Sequence, residues 1–228
     1  MITFLYYLGM FFFNIDGVYG PTCTDFPMLD GKEDIRLDVA PLLFGARSTV
    51  SYGVTDNLFV QAEAFYVNMG KTNTFGQLTS GWYNNHDNKI VELFGGVSLG
   101  YGQNRHHDDE FNIYGNYGTC FLQGDYGWKD LANSHIDVAL GAKLGYYYAP
   151  LSINEDHTKI NRLFQAPYFE PTINFRFGWE KFKFNLKFGY NFHKEYTSAR
   201  YYYSMCGYPR MELSLNYHFK SANRQQTE

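Results

Sequence analysis

The amino-acid sequence predicts an all-β fold: one closed, antiparallel, up-and-down transmembrane β-barrel of about ten strands, with eight as the alternative. Three observations carry this expectation. From Lys181 to Phe192 the chain alternates without a break. Phe182, Phe184, Leu186, Phe188, Tyr190 and Phe192 share one face, and Lys181, Lys183, Asn185, Lys187, Gly189 and Asn191 share the other. A strand with every large apolar group on one side needs an apolar medium there. Similar segments recur along the chain, and their connections alternate between short and long. Trp82, Trp128 and Trp179 each fall beside a short connection, where interfacial aromatics gather.

The bulk composition fits. Tyr and Phe supply 21 residues each, Gly 22 and Pro only 7 of the 228. Mean hydropathy is mildly negative, at -0.39. No apolar run of about 18 residues occurs beyond the N-terminus, so no transmembrane helix is predicted. The net charge is -4 with no basic tract, so nucleic-acid binding has no support and no nucleic-acid partner is expected. The cysteines, Cys23, Cys120 and Cys206, are odd in number and give no disulfide framework.

Ile2 to Ile15 is mostly apolar, and Val18-Tyr19-Gly20 has the small-residue spacing of a cleavage site. The front end lacks Lys and Arg, and Asp16 intrudes. Residues 1–20 therefore read as a degraded export signal or a disordered N-terminus. Residues 21–33 read as a periplasmic N-terminal segment, 34–219 as the barrel and 220–228 as a polar tail. Cys23 sits where a lipoprotein's acylated cysteine would sit, although Gly20-Pro21-Thr22 is a poor attachment sequence.

The strands follow in order. Asp34 to Pro41 sets Ile35, Leu37 and Val39 against Arg36 and Asp38. Ala46 to Val54 sets Val50, Tyr52 and Val54 against Arg47, Thr49 and Ser51, and Thr55-Asp56-Asn57 turns the chain. Leu58 to Asn68 sets Leu58, Val60, Ala62, Ala64 and Tyr66 against Gln61 and Glu63. Phe75 to Tyr83 has the weakest alternation. Lys89 to Tyr101 opposes Val91, Leu93, Val97 and Leu99 to Glu92 and Ser98; Ile113 to Trp128 opposes Leu122, Tyr126 and Trp128 to Gln123 and Asp125. Ile136 to Tyr148 and Phe169 to Trp179 repeat the pattern, with Asp137, Lys143, Glu170, Asn174 and Arg176 on their polar faces. After Lys181 to Phe192 comes Arg210 to Phe219, where Glu212, Ser214, Asn216 and His218 oppose Met211, Leu213, Leu215, Tyr217 and Phe219.

Short links are expected near Thr55, Asn84, Lys129 and Glu180. Longer outer loops are expected at Gln103 to Asn112, Pro150 to Leu163 and His193 to Tyr208. An even strand count places both termini on the periplasmic side of a bacterial outer membrane. Trp82, Trp128, Trp179, Tyr217 and Phe219 would form one interfacial girdle. A soluble sandwich would instead favour Trp in mid-core.

With lipid outside, the other face lines the lumen. That lining holds Arg36, Asp38, Arg47, Glu63, Glu92, Asp125, Asp137, Lys143, Glu170, Arg176, Lys183, Lys187 and Glu212. Positive and negative groups nearly cancel, buried charges must pair, and a barrel of about ten strands leaves little bore. A plugged, salt-bridged interior is therefore expected. A narrow small-solute channel is the alternative, although no one-signed ring favours it.

His106, His107, Asp108 and Asp109 form the densest group of metal-ligand types. Adjacent loop residues rarely face one ion, so a solvated charge run is the expectation. A lipid-modifying enzyme would need an oriented nucleophile and base; Ser214 and His218 share a face but stand too far apart, and no G-x-S-x-G occurs. No enzymatic activity and no cofactor are expected.

Several stretches resemble a family of small outer-membrane β-barrel proteins of Bacteroidetes-type bacteria, many of them lipoproteins. They are Pro27-Met28-Leu29 with Lys32-Glu33, Ser51 to Asn57, Val91 to Gly96, Gly115-Asn116-Tyr117 with Phe121-Leu122-Gln123, and Phe169 to Trp179. The ending Tyr217-His218-Phe219 resembles the aromatic terminus read by the barrel assembly machinery. The resemblance implies outer-membrane lipid and that machinery as partners, with other envelope proteins met through the outer loops. The family has no settled activity, so the resemblance bears on fold and location far more than on function; the expected role is that of a structural or interaction component, including accessory subunit in an envelope complex.

Overall fold

A computed structural model of the chain describes residues 25–42, 44–68, 71–105, 111–131, 135–155, 158–179, 181–193 and 209–219. Among these the strands are β1 (Ile35–Leu42), β2 (Gly45–Gly53), β3 (Leu58–Asn68), β4 (Lys71–His86), β5 (Lys89–Arg105), β6 (Phe111–Trp128), β7 (Ile136–Glu155), β8 (Thr158–Gly178), β9 (Phe182–Tyr190), β10 (Phe192–His193) and β11 (Pro209–Phe219). Every pairing is antiparallel. β10 continues β9 along β8, so the wall is a closed, up-and-down barrel of 10 strands. Closure comes from β1 pairing with β11, β11 with β9, and β9 with β8. Closure leaves no free sheet edge.

Alternation decides the facing of each strand, and it does so as the sequence pattern requires. Arg36, Asp38, Arg47, Thr49, Gln61 and Glu63 point inward and are buried; Val50, Val60, Leu78, Val97 and Leu122 point outward and are exposed. Leu99 is 75% exposed, while Arg47 and Lys187 are fully buried. Around its belt the molecule is greasy outside and ionic inside, the reverse of a water-soluble barrel.

Two sequence expectations are corrected. The span Pro150 to Leu163 is not a loop: β7 and β8 stay paired from Pro150↔Leu163 out to Glu155↔Thr158. Likewise β5 and β6 stay paired out to Arg105↔Asn112, so the connection there shrinks to 106–110. The physical reason is an inversion of polarity. Low on β7, Leu140 and Leu144 point out while Asp137 and Lys143 point in; higher up, Leu151 and Ile153 point in and are buried. Leu151 and Ile153 alternate with the outward Ser152 and Asn154, so the run resembles a polar loop while keeping period two. Pro150 lacks an N–H, and the β6–β7 ladder skips between Gly115↔Leu151 and Gly118↔Tyr148.

The upper lumen is therefore aromatic rather than ionic. Phe65 stacks on Phe75 at 5.1 Å, and Tyr117 donates to the Asn73 side chain at 2.7 Å. Inward glycines make room for these rings. Tyr117 lies across its ladder partner Gly100, and Tyr168 across Gly145; a Cβ at either glycine would meet ring atoms within 2.6 Å.

The third difference concerns residues 25–30. They belong to no strand, yet Phe26, Met28 and Leu29 are fully buried inside the barrel. The sequence reading left this segment outside the wall. Its apolar side chains join an inward cluster with Phe59, Tyr83, Ile90, Phe94 and Ala139.

Candidate functional site

The strongest concentration of buried charge sits in mid-lumen, where four walls and the N-terminal segment meet. β2 contributes Arg47, β1 Asp38, β9 Lys187 and β11 Glu212. Arg47 lies 2.7 Å from both Asp38 and Glu212, 3.8 Å from Asp25 and 4.0 Å from Glu63. Lys187 lies 2.6 Å from Asp25, 3.3 Å from Glu212 and 3.5 Å from Asp38. Asn185 and Ser214 also donate to Asp38, the latter at 2.9 Å. These groups are out of water, so only mutual pairing makes their charge tolerable.

A second cluster closes the rim where the chain enters the barrel. Lys129, in the β6–β7 turn, donates to Asp30 at 2.7 Å, and Arg36 reaches Asp30 at 3.3 Å and Asp34 at 3.7 Å. His218 pairs with Asp34 and lies 3.7 Å from Asp30. Burial pushes the Asp30 carboxyl up, but Arg36 and Lys129 outweigh it and hold it well below the usual carboxylate range. Asp34 is likewise lowered: burial raises it, and the His218 hydrogen bond with the Arg36 charge overcomes that. Lys129 is lowered by burial, with Asp30 acting against it.

Asp30, Asp34 and His218 are also the one group of metal-ligand types that converges among the described residues. Arg36 and Lys129 already neutralise both carboxylates, which sets a high electrostatic barrier to a divalent cation. The candidate ligands His106, His107, Asp108 and Asp109 lie outside the described residues, as do Cys23 and Cys206.

All thirteen lumen residues picked out by alternation face inward. Arg36, Asp38, Arg47, Glu63, Lys187 and Glu212 share the networks above. Lys183 donates to Asp137 at 2.7 Å, and Asn191 donates to Glu170 at 3.2 Å. Glu92 accepts the Met28 N–H at 2.7 Å, Asp125 accepts from Gln123, and Arg176 donates to the Phe26 carbonyl. Lys143 stands 4.8 Å over the Phe121 ring. Ser214 and His218 serve different carboxylates, Asp38 and Asp34, and form no nucleophile–base pair. Cys120 is an exposed free thiol on the outer face.

On that outer face Trp82, Trp179, Tyr217 and Phe219 are exposed and Trp128 half-buried, all toward the short-turn rim. Tyr126 meets Trp128 edge-on at 4.6 Å, and Tyr217 meets Phe219 at 4.5 Å. Ile35 pairs with Phe219, so the first strand starts and the last ends at this same rim.

Alternation missed Asp25, Asp30, Asp34 and Lys129, none of which lies in a strand. Their one sequence signal is the placing of Asp25 and Asp30 on either side of the apolar Phe26-Pro27-Met28-Leu29. Comparison of the chain with protein-family models, with curated proteins and with solved structures finds no match.

Proposed function

We propose that this chain is a bacterial outer-membrane β-barrel with a closed, salt-bridged lumen, acting as a non-enzymatic structural or interaction component. One observation carries the reading: exposed Val50, Val60, Leu78, Leu99, Leu122, Leu144, Phe177, Phe184 and Leu213 encircle a wall whose inner face buries Arg47, Arg176 and Lys187. Exposed apolar side chains on that scale oppose water and favour lipid. The aromatic residues at the short-turn rim support an interfacial girdle there, with both ends of the barrel on the periplasmic side. The resemblance to small barrel proteins of Bacteroidetes-type bacteria points to the same place, with the barrel assembly machinery as the insertion partner.

The tall wall formed by β5 to β8 is the natural recognition surface, because its far end carries exposed polar side chains beyond Leu163. Lys159, Asn161, Arg162 and Gln165 are exposed on it. An envelope protein met there would make this chain an accessory subunit. Fractionation and mild detergent extraction test the reading. The chain should co-sediment with outer membranes, migrate differently in gels before and after boiling, and retain a protein partner. Recovery in the aqueous fraction as a monomer would overturn it. Steady ohmic conductance of the full chain in a planar bilayer would replace the closed barrel with the channel alternative.

A further inference from the structure

Residues 25–30 touch the barrel as a bound peptide touches a receptor. Lys187 and Gln61 donate to the Asp25 carboxylate at 2.6 and 3.0 Å, and Gln123 donates to its carbonyl at 2.9 Å. Arg176 holds the Phe26 carbonyl, and Glu92 accepts the Met28 N–H. Asn85 and Lys129 donate to the Leu29 carbonyl at 2.8 and 2.9 Å. Side chains from β3, β4, β5, β6, β8 and β9 thus read backbone as well as carboxylates.

The apolar part of the segment has shaped sockets. A Cβ at Gly127 would lie 3.0 Å from the Met28 terminal methyl, and one at Gly141 would lie 2.8 Å from the Phe26 ring. Met28 itself adopts a left-handed backbone, φ 47°, which an unbranched side chain takes only under constraint. The Glu92 hydrogen bond and the Gly127 socket supply that constraint. Nothing along 25–30 is joined to the wall by a strand ladder, so the segment can leave without breaking the barrel's backbone pairing.

We propose that the lumen contains a peptide-binding site for an acidic segment, filled in this chain by residues 25–30, and that a peptide of matching sequence occupies the site once the segment is withdrawn. The site does not rest on the membrane reading above.

The test compares the full chain with Asp25→Lys, which sets a cation against Lys187 and Arg47, and with a chain lacking residues 25–30, each checked for folding by heat-modifiable migration. The labelled peptide Asp-Phe-Pro-Met-Leu-Asp should bind the shortened chain saturably by fluorescence anisotropy, and at least about tenfold more weakly after Lys187→Met, as loss of a charged hydrogen bond requires. It should bind the full chain, whose site is filled, more weakly than the shortened chain. Absence of saturable binding, or indifference to Lys187→Met, overturns the site. If the shortened chain does not fold, Asp25→Lys decides the question: the peptide should bind the folded Asp25→Lys chain more tightly than the full chain, and equal binding to the two overturns the site.

Discussion

Lys187 donates from Nζ to the Asp25 carboxylate at 2.6 Å, joining residues 162 positions apart in the chain. The same ammonium lies within 3.5 Å of Asp38 and Glu212. Lys187→Met leaves three buried carboxylates short of a cation. Breaking a buried pair by removing one partner costs about 3–5 kcal/mol. Asp25→Asn keeps a hydrogen-bonding shape and should cost less, about 1–3 kcal/mol. Urea unfolding of the refolded barrel in detergent micelles measures both; a Lys187→Met midpoint equal to the parent's removes the network from any role in stability.

Asp30 and Asp34 make the rim cluster acid-sensitive. Both carboxyls titrate lower in the folded chain than the ordinary 3.8. A depressed folded value means that the folded state binds fewer protons, so the stabilisation is complete above about pH 5 and is lost as pH falls below about 4. Arg36, Lys129 and His218 are the charged or titratable partners that face them. The stability difference between the parent and Asp30→Asn should be constant from pH 5 to neutrality and shrink below pH 4, on the order of the linkage expected for a paired carboxylate. A difference that instead grows on acidification would contradict the pairing.

Strand facing was legible because period two survives whatever lies on either side. Leu122 and Gln123 report opposite environments from adjacent positions, and so do Phe175 and Arg176. The upper parts of β7 and β8 were illegible as strands because apolar side chains there turn inward while Ser152 and Asn161 turn out, and Pro150 imitates a loop boundary. The segment 25–30, read as periplasmic, gave no sign that it lies inside the barrel. It has no periodicity, and its carboxylate partners Gln61 and Lys187 stand 36 and 162 residues away, distances over which local patterning carries no signal. The mid-lumen cluster was half-legible for the same reason: alternation gave its wall residues and missed Asp25.

Gly145 and Tyr168 test the inward packing. They are ladder partners on β7 and β8, and a Cβ at Gly145 would meet the Tyr168 ring at 2.3–2.5 Å. Gly145→Ala must displace a buried ring, an overpacking cost of about 1–3 kcal/mol. Gly118→Ala is the control, since its Cβ would find Leu99 at 3.4 Å, an ordinary contact. Equal unfolding midpoints for the two variants would show that the Tyr168 ring is not fixed over Gly145.

The medium around the belt can be read from one arginine placed at two heights. Leu122, on the outer face of β6, is 67% exposed and has the apolar Leu144 as its ladder partner on β7. Asn161 is exposed on the outer face of β8, beyond Leu163, with the polar Ser152 as its ladder partner. In water both positions accept arginine at little cost, because exposed substitutions usually stay within about 0.5 kcal/mol. In lipid they part. Arginine at the midplane of a lipid-facing strand costs about 2–4 kcal/mol, and the cost falls toward zero outside the hydrocarbon. Leu122→Arg should therefore lower the unfolding free energy in phospholipid vesicles by that amount, while Asn161→Arg leaves it nearly unchanged. The comparison needs no assumption about partner, lumen or plug, because neither side chain reaches the interior. Equal effects of the two substitutions would remove the bilayer from around Leu122 and, with it, the reason for the exposed apolar side chains that encircle the wall.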